Sequence, residues 1–340
     1  MAIVDLRRLT RSAALASLVA LSSPMSAYAE TVIHFTLDRK IDGPAAPFFL
    51  AIDKGYFKAE GLNVTINAAS GPLESINRLA SGSYDMGVAD INLLIKFSDG
   101  KPDPPVKAVF VVFDKPPYAL IARKSRGITA PNDLEGKKLG APTADSSFAA
   151  WPIFAKVNDI NTAKVMIENV GLPVLEPMLA DGQVDAITGC SFTAYVDLKD
   201  RGVPADDLLM LLMADYGVKL YGDAIVVAPN FAQEKPDAVR AFLRAYVKAL
   251  KDTMRDPALA VDAVLRHNDS TSKDVELERL RLAIRDNILT PAVKASGYGA
   301  IDPERFTAAI DQIALTYHFK AKDKAADVFD SSFLQPPVER

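Results

Sequence analysis

Cysteine occurs once in the 340 residues, at Cys190, tryptophan once, at Trp151, and histidine three times, at His34, His267 and His318. A single thiol excludes an internal disulfide, so stability rests on a packed core. No histidine has a second His or Cys at metal-ligand spacing, which excludes a zinc site. The chain also lacks Gly-x-Ser-x-Gly, a Gly-rich loop ending in Lys-Ser or Lys-Thr, and a strand followed by Gly-x-Gly-x-x-Gly, so the common hydrolase, P-loop and dinucleotide signatures are missing. Basic runs are absent and the net charge is −4. Such a surface gains little from releasing counterions along a phosphate backbone, which disfavours nucleic acid as a partner. No apolar run is long enough to span a bilayer.

What remains is a globular composition, 49% hydrophobic and 24% charged, with length for about two ordinary domains. The N-terminus has its own pattern: Arg7, Arg8 and Arg11, an apolar stretch from Ala13 to Leu21, then Ala27-Tyr28-Ala29. This is the three-part layout of a cleavable export signal. Residues 1–29 are therefore expected to be removed, leaving a soluble periplasmic chain that starts at Glu30 and has no cysteine near the cut for a lipid anchor.

From there, short β-type runs alternate with helical ones. Thr31 to Leu37 places Ile33, Phe35 and Leu37 on one side, as a strand does. Ala46 to Ile52 is a helix with proline in its first turn and Gly55 just past its end. Strands at 62–68 and 86–89 and helices at 73–81 and 91–97 continue the alternation, which predicts βαβ units and a parallel sheet. Buried strands follow at 106–113 and 118–122. The alternation restarts after Asp133-Leu134-Glu135-Gly136, with strands at 139–141, 165–168 and 186–188 and helices at 146–157 and 174–180. Strands at 208–213 and 223–228 precede a helical C-terminal third, at 236–255, 257–267, 275–288 and 303–317. Lys320 to Arg340 reads as a wrapping tail.

In open α/β sheets, ligands bind beyond the carboxyl ends of the strands, where helix N-termini offer unpaired N–H groups. Four such junctions carry polar residues: Asp38 to Gly43, Ser70-Gly71, Asp90-Ile91-Asn92, and Thr143 to Ser147. Each alone reads more readily as helix capping than as a ligand site. Their recurrence in both halves of the chain is what points to a ligand site.

Four motifs then carry a family resemblance. The stretch Ala51-Ile52-Asp53-Lys54-Gly55-Tyr56-Phe57-Lys58-Ala59-Glu60-Gly61-Leu62-Asn63-Val64 resembles a signature of type II periplasmic solute-binding proteins, in the branch of nitrate, sulfonate, taurine and thiamine-pyrimidine binders of ABC importers. Leu79 to Gly87, Asp133 to Gly140 and Leu179 to Ala186 are similar to further motifs of that family, in its order. The resemblance implies an α/β, two-lobed type II periplasmic binding protein fold, each lobe a mainly parallel sheet flanked by helices, with the ligand cleft between them. Lobe one would comprise residues 30–118 and 221–340, including the C-terminal helices, and lobe two residues 119–220. Crossovers near Tyr118 and Tyr221 would form the hinge.

Carried over residue by residue, the resemblance implicates Asp38, Phe48, Ser70, Gly71, Asp90 and Asn92 from lobe one. It implicates Asp145, Ser146, Ser147, Trp151 and Cys190 from lobe two, and Tyr118 and Tyr221 at the hinge. Asp223 joins Asp38, Asp90 and Asp145 at the cleft junctions, and buried carboxylates repel an anion. Arg39 offsets one of them. The mixture favours a small zwitterion or an amine-bearing heteroaromatic, with Tyr118, Trp151 or Phe48 stacking on its face. The expected function is capture of that small molecule by a monomer and delivery to the membrane permease and ATPase of an ABC importer. Neither catalysis, cofactor nor metal is expected. Two alternatives stay open: an enzyme on the same fold, such as a pyrimidine synthase or small-acid lyase, and a subunit that presents its ligand to a sensor kinase. The Cys-rich motif and reactive His of the eukaryotic synthases that resemble this fold have no match here.

Overall fold

The computed structural model describes residues 30–101, 106–143, 145–268 and 270–334. The expected export signal, residues 1–29, lies outside them. The chain begins with β1 (Thr31–Thr36), α1 (Ala46–Asp53), α2 (Tyr56–Ala59), β2 (Leu62–Asn67), α3 (Pro72–Ala80), β3 (Met86–Asp90), α4 (Ile91–Ser98) and β4 (Lys107–Val111). It continues with β5 (Tyr118–Arg123), β6 (Lys138–Ala141), α5 (Ser146–Val157), β7 (Met166–Asn169), α6 (Leu175–Asp181), β8 (Ala186–Cys190), α7 (Ser191–Asp200) and β9 (Leu208–Leu212). It ends with β10 (Asp223–Val227) and helices α8 (Pro229–Glu234), α9 (Pro236–Arg255), α10 (Pro257–Leu265), α11 (Lys273–Ala283), α12 (Pro291–Ser296) and α13 (Pro303–Ile313).

Two five-stranded sheets result, ordered β2-β1-β3-β10-β4 and β7-β6-β8-β5-β9. In the first, β1 pairs parallel with β2 and β3, while β10 runs antiparallel to both β3 and β4. The second repeats this pattern, with β5 as the reversed strand between β8 and β9. Four strands of each sheet thus point one way, and the fifth enters from the crossover that links the halves. That reversed strand starts beside the carboxyl end of its neighbour: Asp223 pairs with Asp90, and Tyr118 with Cys190.

The expected elements recur with small shifts at their ends, and two departures have physical causes. Helix α7 was not expected, because Phe192, Ala194, Val196 and Leu198 alternate in sequence with polar residues, a strand-like period; all four are buried in the helix. The single helix expected over 275–288 ends at Ala283 and continues as a π-helical turn over Ile284–Ile288. The tail does wrap: the Asp330 N–H donates to the Ala108 carbonyl at 2.8 Å, and Val328 and Phe333 are buried.

The first core is aromatic. The rings of Phe35 and Phe242 stack at 5.1 Å and those of Phe57 and Phe242 at 4.7 Å, which clamps α9 onto β1. The two crossovers are stitched together at Gly222, whose N–H donates to the Phe113 carbonyl at 2.9 Å. Arg305 pins them from outside, donating to the carbonyls of Lys219 and Leu220 and to the Asp114 carboxylate. A Cβ at position 222 would lie 2.8 Å from Phe113 Cβ and 2.9 Å from Pro116 Cα. Since the backbone blocks one side, Gly222→Ala is expected to cost about 1–3 kcal/mol, read as a lower urea midpoint with an unchanged slope; an unchanged midpoint would show that the crossovers are loosely packed.

Candidate functional site

The carboxyl ends of the parallel strands are where the polar side chains of both halves collect. Asp90 ends β3 and caps α4, its Oδ1 accepting the Leu93 N–H at 2.8 Å. Its second oxygen accepts from the Tyr118 hydroxyl, and the Ser146 hydroxyl also stabilises its charge. Asn92 Nδ2 donates to the Tyr118 hydroxyl at 3.1 Å and to the Tyr221 carbonyl at 2.6 Å. One residue of β3, one of α4 and the start of β5 are thereby locked together across the first crossover.

Beside this lies a second group. Arg39 Nε and Nη2 donate to the two oxygens of Asp38, both at 3.1 Å, and Nη2 also reaches Asp223. Asp38 and Asp223 are each 4% exposed. The guanidinium lies 5.9 Å over the Phe113 ring. Its own charge is opposed by burial, but Asp38 and Asp223 outweigh that and raise its pKa well above the usual value.

Burial governs the acids. It raises the pKa of Asp223 well above the ordinary carboxylate value, the neighbouring Asp38 adds to the shift, and Arg39 opposes it. Asp90 and Asp145 are raised by burial too, although hydrogen bonds pull against the shift in both. Tyr118 is raised by burial and by the adjacent Asp90, so it stays a neutral donor. Asp42 is raised by burial to about 6. Cys190 is pushed up to about 11, chiefly by burial, which leaves a poor nucleophile.

The structure therefore brings together Asp38, Asp90, Asn92, Tyr118, Ser146 and Asp223, with Cys190 close enough to feel the Arg39 charge. Asp145 caps α5 through the Ser147 N–H at 3.1 Å and feels the charge of Asp90. Phe48 instead packs between Phe35 and Tyr246, at 4.9 and 4.5 Å, because the phase of α1 turns it into the core. Trp151 is 3% exposed and stacks on Phe154, one turn into α5 on its inward side. Both rings are buried against other aromatic rings. Ser70 gives its N–H to Glu74 at 2.7 Å and lies, with Gly71, ahead of α3 outside this network. The Tyr221 ring is held by the Arg305 guanidinium at 4.0 Å and its hydroxyl by the Asp302 N–H, so it reaches the site only through its carbonyl.

Sequence reasoning passed over Glu276, Arg279 and Asp197, and it covered Asp42 only as part of the Asp38 to Gly43 junction. Glu276, 1% exposed, accepts the Gly43 N–H at 2.6 Å and pairs with Arg279, which also binds Asp197 on α7. With the Lys199–Glu278 pair, this ties α7 of the second sheet to α11. The available signal was Asp42-Gly43-Pro44, an N-cap residue before glycine and proline. Among the described residues no group of three or more His, Cys, Asp or Glu could hold a metal ion. His34 bonds Thr65 and His267 stacks on Phe49 at 4.6 Å, away from the carboxylates.

A family model described as NMT1/THI5 like matches residues 44–260. The chain is 27% identical over 240 residues to the riboflavin-binding protein RibY of Chloroflexus aurantiacus, covering 69% of this chain and 66% of that one. It is 25% identical over 243 residues to a formylaminopyrimidine-binding protein of Halalkalibacterium halodurans, covering 69% and 72%. A protein of Schizosaccharomyces pombe named 4-amino-5-hydroxymethyl-2-methylpyrimidine phosphate synthase is 27% identical over 220 residues, covering 62% of each chain. The chain thus spans a little under two thirds of the length of RibY and of that synthase. The periplasmic aliphatic sulphonate binding protein SsuA of Escherichia coli has the same fold, with a TM-score of 0.67 at 13% identity over 84% of this chain and 86% of that one.

The sign of the Asp42 shift gives a test of the site's electrostatics. Its folded pKa of about 6 lies above the ordinary 3.8, so the penalty on folding is absent below the ordinary value, builds as the pH rises between the two, and is complete above the folded value. Asp42→Asn should match the wild type in stability at pH 4 or below and gain on it up to a plateau above pH 6, worth ~3 kcal/mol. Chemical denaturation across that range checks this, and a pH-independent difference would contradict it.

Proposed function

The chain belongs to the NMT1/THI5-like family, and from that premise we propose that it is the periplasmic substrate-binding component of an ABC importer. In this reading it captures a small amine-bearing heteroaromatic molecule, of pyrimidine type, between two lobes and passes it unaltered to the permease. Residues 30–118 and 221–340 form one lobe and residues 119–220 the other, hinged at the stitched crossovers, and the working unit is a monomer. Among the described residues no helix is long and apolar enough to cross a membrane.

The observation that carries the ligand class is the charge balance of the cleft. Asp38, Asp90 and Asp223 are buried around one guanidinium that two of them already share. A sulfonate would add a negative charge to that group, whereas ring nitrogens and amino N–H groups give the carboxylates donors. Asp90 accepts from Leu93, Tyr118 and Ser146 where the two halves meet, and exchange of one of these donors for a ligand N–H makes it the first anchor. Asp38, Asp223, Tyr118, Asn92, Asp145, Ser146, Ser147 and Cys190 complete the wall. The name formylaminopyrimidine-binding on one relative and riboflavin-binding on another support a nitrogen heterocycle.

A second reading, a synthase on this fold, is favoured by the names of the fungal relatives. It would need a reactive group, and the one thiol here is pushed to about 11. Calorimetry with 4-aminopyrimidines and with taurine separates the possibilities. The aminopyrimidine is expected to bind and taurine not, Asp90→Asn to weaken binding by about 10- to 100-fold through loss of a charge-assisted bond, and mass spectrometry to recover the ligand unchanged. Preference for taurine would overturn the ligand class, and a new product mass would favour the synthase.

A further inference from the structure

Asp42 occupies a position that normally binds its own backbone. It precedes the short 3-10 turn Gly43–Ala45, where an aspartate side chain usually caps the free N–H groups. Here it makes no capping bond. The Gly43 N–H is taken instead by Glu276 of α11 at 2.6 Å, an approach so close that a Cβ on Gly43 would lie 2.2 Å from the Glu276 carbonyl oxygen. Glu276 has thus displaced Asp42 from its cap.

The released carboxylate is 3% exposed, and its Oδ1 has no hydrogen-bond partner among the described residues. The charged and titratable groups that bear on it are Arg39, Glu276, Arg279 and Asp38, and its own charge is felt by Cys190 of the second sheet. It therefore sits within reach of the Arg39 charge and of Cys190 of the second sheet. A buried acceptor left unpaired costs about 1–3 kcal/mol, and every other carboxylate of the cluster is paired with protein donors.

We propose that Asp42 is a second anchor of the cleft, accepting an N–H from a cationic or amine-bearing arm of the ligand whose ring is held at Asp90 and Asp223. The assignment rests on the cleft being the ligand site, and it adds a specificity that the ring alone does not set: cargo with a donor on an arm is preferred to cargo without one.

The test is calorimetry at pH 7.5 with two probes, an aminopyrimidine carrying an aminomethyl arm and the same aminopyrimidine with a methyl group in its place. The wild type should prefer the arm-bearing probe by about tenfold or more, the scale of one charge-assisted bond. Asp42→Asn, with Asp42→Ser as a second variant should the first not fold, should erase that preference while binding the methyl probe as before. A variant that keeps the preference, or a wild type that shows none, overturns the role of Asp42 and leaves the ligand site standing. Failure of the wild type to bind either probe overturns the ligand class, and the anchor with it.

Discussion

The guanidinium of Arg39 binds Asp38 next to it in sequence and Asp223 at the start of the returning strand, and its field reaches Asp42 and Cys190. Withdrawing a carboxylate from water costs several kcal/mol per ion, and only a well-placed partner offsets it. Burial makes Asp223, Asp90, Asp145 and Asp42 all hold their protons more tightly than carboxylates in water, and neighbouring acids add to the shift at Asp223, Asp145 and Asp42. A cleft built this way is short of donors. The ligand class proposed above follows from that shortage.

Topology supplies that arrangement without any special sequence. Each sheet ends its parallel strands at one edge, and the reversed strand begins at the same edge, so Asp90 and Asp223 meet in one sheet and Cys190 and Tyr118 in the other. The two edges face each other across the crossovers that Gly222 and Arg305 hold together. Bonds that span the halves, such as Arg279 to Asp197 and Lys199 to Glu278, lie on α7 and α11 beside the cleft. These ion pairs tie the second sheet's α7 directly to α11.

Much of this was legible in the residues. The alternation of β-type and helical runs, with Gly55 in the left-handed region after α1 and proline at the start of α3, α9, α10 and α13, marks the elements locally. The strand-end aspartates stood out because polar residues at the end of an apolar run are visible in sequence. What sequence could not give was direction. Phe48 and Trp151 face the core because of helix phase, and Tyr221 turns toward Arg305 because a later helix brings that cation to it. Asp42 was hidden for a related reason: its role depends on Glu276, more than two hundred residues away, taking its capping partner. Helix α7 was hidden by its strand-like alternation, which only packing against β5, β8 and β9 on one side and α11 on the other resolves.

The central claim is that the halves close on an unaltered guest bound by the strand-end carboxylates. Small-angle X-ray scattering of the full chain, free and saturated with an aminopyrimidine shown to bind, measures this directly. The account predicts a smaller radius of gyration on saturation, with the bound curve matching the arrangement described above. Identical curves, with the guest demonstrably bound, would contradict it.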